Sequence, residues 1–417
     1  MGRYFSDVVE QAIADLYYCY DIERAKAAAE ALFHAAKERQ DGDASYLLSR
    51  CCSGRAFSNW HRHPFQENEA AAYALLREAI ARGSAIAVLG AIRIGMLTPE
   101  FEELMPFAST REAWEDVNRK AENGCLFCQY MIGNTYYYLD IIEIYNRKES
   151  EFASRSEWLA WQRRQIEKSI PLFENAFAGG MGIAGRNLNR FYQYGRGSLI
   201  APQPEKTIEL SRQGAEWGYP DWMHSYASHL YYKTDRKEEA LLLAQRAADM
   251  GNIEAWGIIG DAYLTGTVVE KSMPLALACY EKGAADGKDV YCCYRAGEMY
   301  FLGSGAPQDY ARAVQYLEAS YIASDYKSQD THLLGTCYLL GWGCRQNTEL
   351  GKNLLQRSRS SRYKSYGLGI MYAEGVGVPE DIELGVEYLK AAGNYGPALD
   401  ALKNYKKSFF FGTWRRK

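Results

Sequence analysis

Four short stretches decide the fold because they repeat one message: residues 259–266 (IGDAYLTG), 296–303 (AGEMYFLG), 334–341 (LGTCYLLG) and 368–375 (LGIMYAEG). Each reads small or apolar residue, Gly, two variable positions, Tyr, two more, Gly. The last three add another glycine two residues on, at Gly305, Gly343 and Gly377. The motif glycines Gly260, Gly297, Gly335 and Gly369 lie 37, 38 and 34 residues apart. That is the period of a solenoid of paired helices.

Each motif position has a physical requirement. The first glycine removes a side chain where a second helix must approach, which justifies its helix cost of roughly 1 kcal/mol. The tyrosine is expected to fill space between repeats and keep its hydroxyl near water or a backbone partner. The later glycine is where a left-handed C-terminal cap would sit. A second helix follows, with small residues at i and i+7 and bulky ones between. It reads Ala276/Cys279/Tyr280/Gly283, Ala313/Tyr316/Leu317/Ser320, Gly351/Leu354/Leu355/Ser358 and Gly385/Tyr388/Leu389/Ala392. This spacing makes one helix face. No such pair buries its face alone, so the pairs must stack.

The arrangement resembles the Sel-1-like repeat family, relatives of the tetratricopeptide repeat. The match is specific over the C-terminal 165 residues and continues more weakly toward the N-terminus. The resemblance implies an all-α, right-handed α-solenoid superhelix of about ten antiparallel helix pairs, without β-sheet. Residues 1–399 are read as a single solenoid, clearest over 253–396, with an insertion at 140–168 before a second helix. Residues 400–417 are read as a capping helix reaching about Lys407, then a basic-aromatic tail (Phe409, Phe410, Phe411, Trp414, Arg415, Arg416, Lys417).

Composition narrows the function. The 417 residues carry a net charge of −4, so there is no overall pull toward nucleic acid or an anionic membrane. The 33 tyrosines exceed what the repeat core uses and suit recognition surfaces. Ten cysteines lack a regular spacing and are read as reduced and buried, hence a cytoplasmic protein. No secretory h-region and no spanning run of apolar residues is legible. Met1-Gly2-x-x-x-Ser6 formally fits a myristoylation acceptor, a pattern short enough to arise by chance.

Catalytic chemistry is not legible. His61-x-His63 falls in a polar aromatic loop with no companion ligands and reads as loop. Cys125-x-x-Cys128 lacks both a thioredoxin-like context and a second pair, so it reads as core cysteine. The six histidines are scattered, and no phosphate loop or nucleophile elbow appears. The expectation is a protein that is not an enzyme and uses no cofactor or metal.

In tetratricopeptide-like superhelices the first helix lines the concave side. By that resemblance, positions three before, one after and four after the motif glycine face a groove. They read Tyr130/Asn134/Tyr137, Arg186/Arg190/Gln193, Ser225/His229/Tyr232, Gly257/Asp261/Leu264, Tyr294/Glu298/Phe301 and His332/Thr336/Leu339. The mixture of aromatic and polar residues suits peptide capture. The expected function is an intracellular scaffold or adaptor binding a protein or peptide in that groove, with no nucleic-acid or membrane partner. Two alternatives stand beside it: a tether to an anionic membrane or nucleic acid through the tail, and a metal-dependent enzyme.

Overall fold

The computed structural model describes residues 4–56, 64–359, 361–408 and 412–417. The residues His61 and His63, Met1 and Gly2, and Phe409 to Phe411 lie outside them. The chain divides into two compact units, 1–226 and 227–417, and the boundary falls inside one helix.

Unit 1 is built from α1 (Asp7–Tyr17), α2 (Ile22–Glu38), α3 (Gly42–Cys52), α4 (Glu69–Ala81), α5 (Ala85–Arg93), α6 (Pro99–Leu104), α7 (Thr110–Glu122), α8 (Leu126–Tyr137), α9 (Ile141–Ile144), α10 (Arg155–Ala178), α11 (Gly182–Tyr194), α12 (Pro204–Glu216) and the first part of α13 (Pro220–Lys233). Short connections return several helices against their predecessors, as α4 on α3 and α12 on α11, while α10 packs on α8. Fully buried Tyr17, Phe101, Phe127, Phe173 and Phe191 centre its core. The insertion at 140–168 extends the second helix of its pair. Thus α10 runs 24 residues, and its first turns stack Trp158 on Trp161 at 5.3 Å under Phe152. Cys125 caps α8: its Sγ accepts from the Cys128 N–H at 3.5 Å, and both thiols are free and buried.

Unit 2 continues with α14 (Lys237–Asp249), α15 (Ala255–Thr265), α16 (Met273–Gly283), α17 (Val290–Leu302), α18 (Tyr310–Ala323), α19 (His332–Leu340), α20 (Thr348–Arg357), α21 (Arg362–Glu374), α22 (Ile382–Ala391) and α23 (Gly396–Leu402). The four quoted motifs lie on α15, α17, α19 and α21. Their glycines do what the spacing requires. A β-carbon on Gly260 would lie 2.6 Å from the Tyr280 ring, and one on Gly369 would lie 2.7 Å from Leu389 Cγ. Each contact joins a first helix to the bulky residue of its own second helix, α16 or α22. The later glycines Gly266, Gly303, Gly341 and Gly375 are left-handed C-caps.

The motif tyrosine behaves differently from expectation. In three repeats its hydroxyl donates to a glutamate on the second helix of the preceding repeat, not to a backbone group. Tyr300 reaches Glu281 Oε1 at 2.7 Å, Tyr338 reaches Glu318, and in unit 1 Tyr192 reaches Glu174 Oε1 at 2.9 Å. Each glutamate directly follows the bulky residue of its second helix, so a latch ties neighbouring repeats in series.

The expected absence of sheet needs correction. The helix ends at Leu402, short of Lys407, and β1 (Tyr405–Lys407) pairs antiparallel with β2 (Trp414–Arg416). Tyr405 and Trp414 favour a pleated, half-buried surface. The strands lie against α22, burying Tyr405 and setting Trp414 beside Lys390 at 4.2 Å.

Candidate partner-binding face

The face assigned from the sequence separates into three groups. In unit 1, Tyr130, Asn134 and Tyr137 on α8 are buried. Tyr130 and Tyr137 pack on Phe173 at 6.2 and 6.1 Å, and Asn134 Oδ1 accepts from the Asn187 side-chain amide at 2.8 Å. They are packing residues, which corrects their placement in an open groove. Arg186 is committed to Asp221 at 2.8 Å, while Arg190 and Gln193 on α11 are exposed. Arg186 and Arg190 therefore do not stand as two open cations.

In unit 2, Phe301 is only 2 % exposed and packs on Tyr310 at 5.3 Å and Trp342 at 6.1 Å. This too corrects the facing. At 100° per residue, a position four beyond the motif glycine lies about 40° from it, toward the packed helix. The same geometry buries Tyr137.

The remaining residues form a connected row across the first helices of unit 2. Asp261 on α15 is buried and accepts hydroxyls from three elements. Tyr232 on α13 donates to Oδ2, Tyr280 on α16 to Oδ1 at 2.5 Å, and Tyr291 on α17 to both oxygens at 2.8 Å. Burial, then the Asp261 charge, raises all three phenol pKa values, so the hydroxyls stay protonated donors. Tyr232 and Tyr291 nevertheless leave 48 % and 44 % of their surface open. His229 is half-buried nearby on α13.

One turn along α17, Tyr294, Arg295 and Glu298 continue the face. The Arg295 guanidinium binds Glu298 and lies 5.5 Å from the Tyr280 ring centre, while its Nε has no partner among the described residues. Burial raises the Glu298 carboxyl, with Arg295 opposing. The Tyr294 hydroxyl meets His332 Nε2 at 3.3 Å. His332, 4 % exposed at the start of α19, stacks on Tyr363 of α21 at 5.5 Å, and its Nδ1 has no partner among the described residues. Arg362 donates to the Tyr363 hydroxyl at 2.9 Å.

The structure thus joins Tyr232 with Asp261 and Tyr294 with His332. Sequence reading missed Tyr280, Tyr291, Arg295, Arg362 and Tyr363. A signal existed for Tyr291 and Arg295: with Tyr294 and Glu298 they fall at i, i+4, i+3 and i+7 of one helix. Among the described residues no group of His, Cys, Asp or Glu is placed to hold a metal ion.

The geometry can be set beside known proteins. The Sel1 repeat profile matches residues 224–252, 257–288, 290–325, 331–361 and 365–394. The chain carries Sel1 repeats. The array is similar to protein sel-1 homolog 2 of Homo sapiens, at 35% identity over 118 residues, and of Mus musculus, at 34% over 119. Those matches take 28% of this chain and 16% and 17% of the relatives, so the chain covers about a sixth of their length. Two solved structures are similar to it. One is a Sel1 repeat protein from Oxalobacter formigenes, 21% identical with a TM-score of 0.43, covering 79% of this chain and 89% of that one. The other is c5321, a protective antigen of uropathogenic Escherichia coli, 18% identical with a TM-score of 0.47, covering 92% and 82%.

Proposed function

We propose that the Sel1-repeat array is a protein-interaction scaffold whose partner segment lies along the row from Tyr232 to Tyr363. Sel1 repeats typically mediate contacts between proteins. The observation that carries the placement is the row itself. Half-open tyrosines are held rigid by their hydroxyls, so they present aromatic area at little further entropy cost. Beside them, the Arg295 guanidinium is held on Glu298 and the Tyr294 hydroxyl meets His332, so the polar groups of the row are fixed as well.

Photo-crosslinking in the native host tests the reading. A photoreactive phenylalanine replaces Tyr291 or Tyr294 on the first-helix face, or exposed Leu242 or Ile322 on the second helices. Adducts from 291 and 294 but not from 242 and 322 are expected. Adducts from the second-helix positions alone would overturn the assignment.

A further inference from the structure

We propose that the outward face of the C-terminal hairpin docks on an anionic membrane surface. The register pairs Tyr405 with Arg416, Lys406 with Arg415, and Lys407 with Trp414. Directly opposed residues share a face, and successive pairs alternate. The first and third pairs are turned to the repeat array. Tyr405 is 4 % exposed with its hydroxyl on Glu374. Arg416 binds Glu374 Oε2 at 2.8 Å, Glu380 Oε2 at 2.9 Å and the Ala373 carbonyl at 3.1 Å. The Trp414 backbone N–H binds Glu383, and its ring lies 4.2 Å from Lys390 Nζ. The hairpin is therefore fastened by its inner face.

The middle pair must face away. Lys406 and Arg415 are exposed and opposed directly, an arrangement that costs stability instead of adding to it. Neither makes an ion pair among the described residues, and exposed Lys407 and Lys417 make none either. The nearby acids are spent elsewhere, Glu374, Glu380 and Glu383 on the inner face and Asp400 on Lys403. Lys406, Arg415 and Lys417 thus gather on a support that does not neutralise them. Each basic group held near a negatively charged headgroup surface is worth about 1 kcal/mol. Among the described residues both strand aromatics, Tyr405 and Trp414, are turned inward, away from where a nucleic-acid base would stack. A plane of mobile anions is the occupant whose chemistry fits.

The test is co-sedimentation of the full chain with phosphatidylcholine vesicles, with and without phosphatidylserine, at low and high salt. Binding is expected only with phosphatidylserine and is lost at high salt. Lys406→Glu turns the opposed pair into an attractive one, so the hairpin is kept while two charge units are removed. Its binding should fall about 30-fold, at roughly a factor of five per charge. Melting of this variant checks that the fold survives, and Arg415→Glu supplies the same charge change should it not. Equal binding of the variants and the native chain, binding to phosphatidylcholine alone, no binding at all, or preference for a single-stranded oligonucleotide over the vesicles would each overturn the proposal. None of these outcomes depends on the first-helix face.

Discussion

His332 shows what burial does to one residue. Enclosure lowers its pKa from 6.5 to about 4, with Asp330 opposing the shift and Lys364 adding to it. The unfolded chain then takes up the proton at a higher pH than the folded one. This contribution to stability is complete above the unfolded value and is lost as pH falls from about 6.5 toward about 4. Its full size is about 3 kcal/mol. Urea midpoints of the native chain and of His332→Phe, measured near neutrality and at mildly acid pH, should converge on acidification. Parallel curves would show that His332 does not carry the dependence. The sequence placed His332 on the right helix and at its start, but as a groove residue. Its burial depends on the Tyr363 ring, which arrives from another helix and leaves no trace in the local spacing.

At the scale of the element, the tyrosine–glutamate latch was half legible. The tyrosines stood out by their period, and their partners are the glutamates after Phe173, Tyr280 and Leu317. The corresponding residues after Ala244 and Leu355 are Gln245 and Gln356, so Tyr263 and Tyr372 lack the carboxylate. Tyr300 is the best latch to test, because its hydroxyl donates to Glu281 and accepts from Arg312 at 2.7 Å. Tyr300→Phe should cost about 1 kcal/mol. In a double-mutant cycle with Glu281→Ala, the coupling should be about 0.5 kcal/mol or more. Strictly additive losses measured by denaturant unfolding would mean that the hydroxyl and carboxylate do not share a stabilising contact.

At the scale of the whole molecule, stacked repeats contribute stability through their neighbours, so damage should remain local. Gly297→Leu provides the probe. A β-carbon there would lie 2.7 Å from Leu317 Cγ and 3.1 Å from the Ala313 carbonyl oxygen, so α17 and α18 must move apart. Such overpacking costs typically about 1–3 kcal/mol. Hydrogen exchange followed by mass spectrometry should show lost protection in α17, α18 and adjoining helices of unit 2, with α1 to α8 unchanged. Uniform loss over 4–417 would show that the chain opens as one cooperative body.

The sequence by itself determined the repeat: its period, its two helices, the glycines that let them meet and the left-handed caps that end the first of each pair. These are local demands of helix geometry, and a residue type at fixed spacing announces them. It also marked the C-terminal stretch as basic and aromatic. Only the tertiary structure decided which of the candidate face residues are open. Phe301, Tyr130 and Tyr137 turn inward because helix phase carries them toward the packed side. Asp261 gathers hydroxyls from α13, α16 and α17, a convergence of residues 29, 19 and 30 positions away. It likewise made the tail a hairpin, since pairing Tyr405 with Arg416 satisfies backbone groups that a helix stopping at Leu402 leaves open. Spacing along a chain records what one helix needs from its own partner; contacts between side chains from separate repeats arise only when the repeats stack.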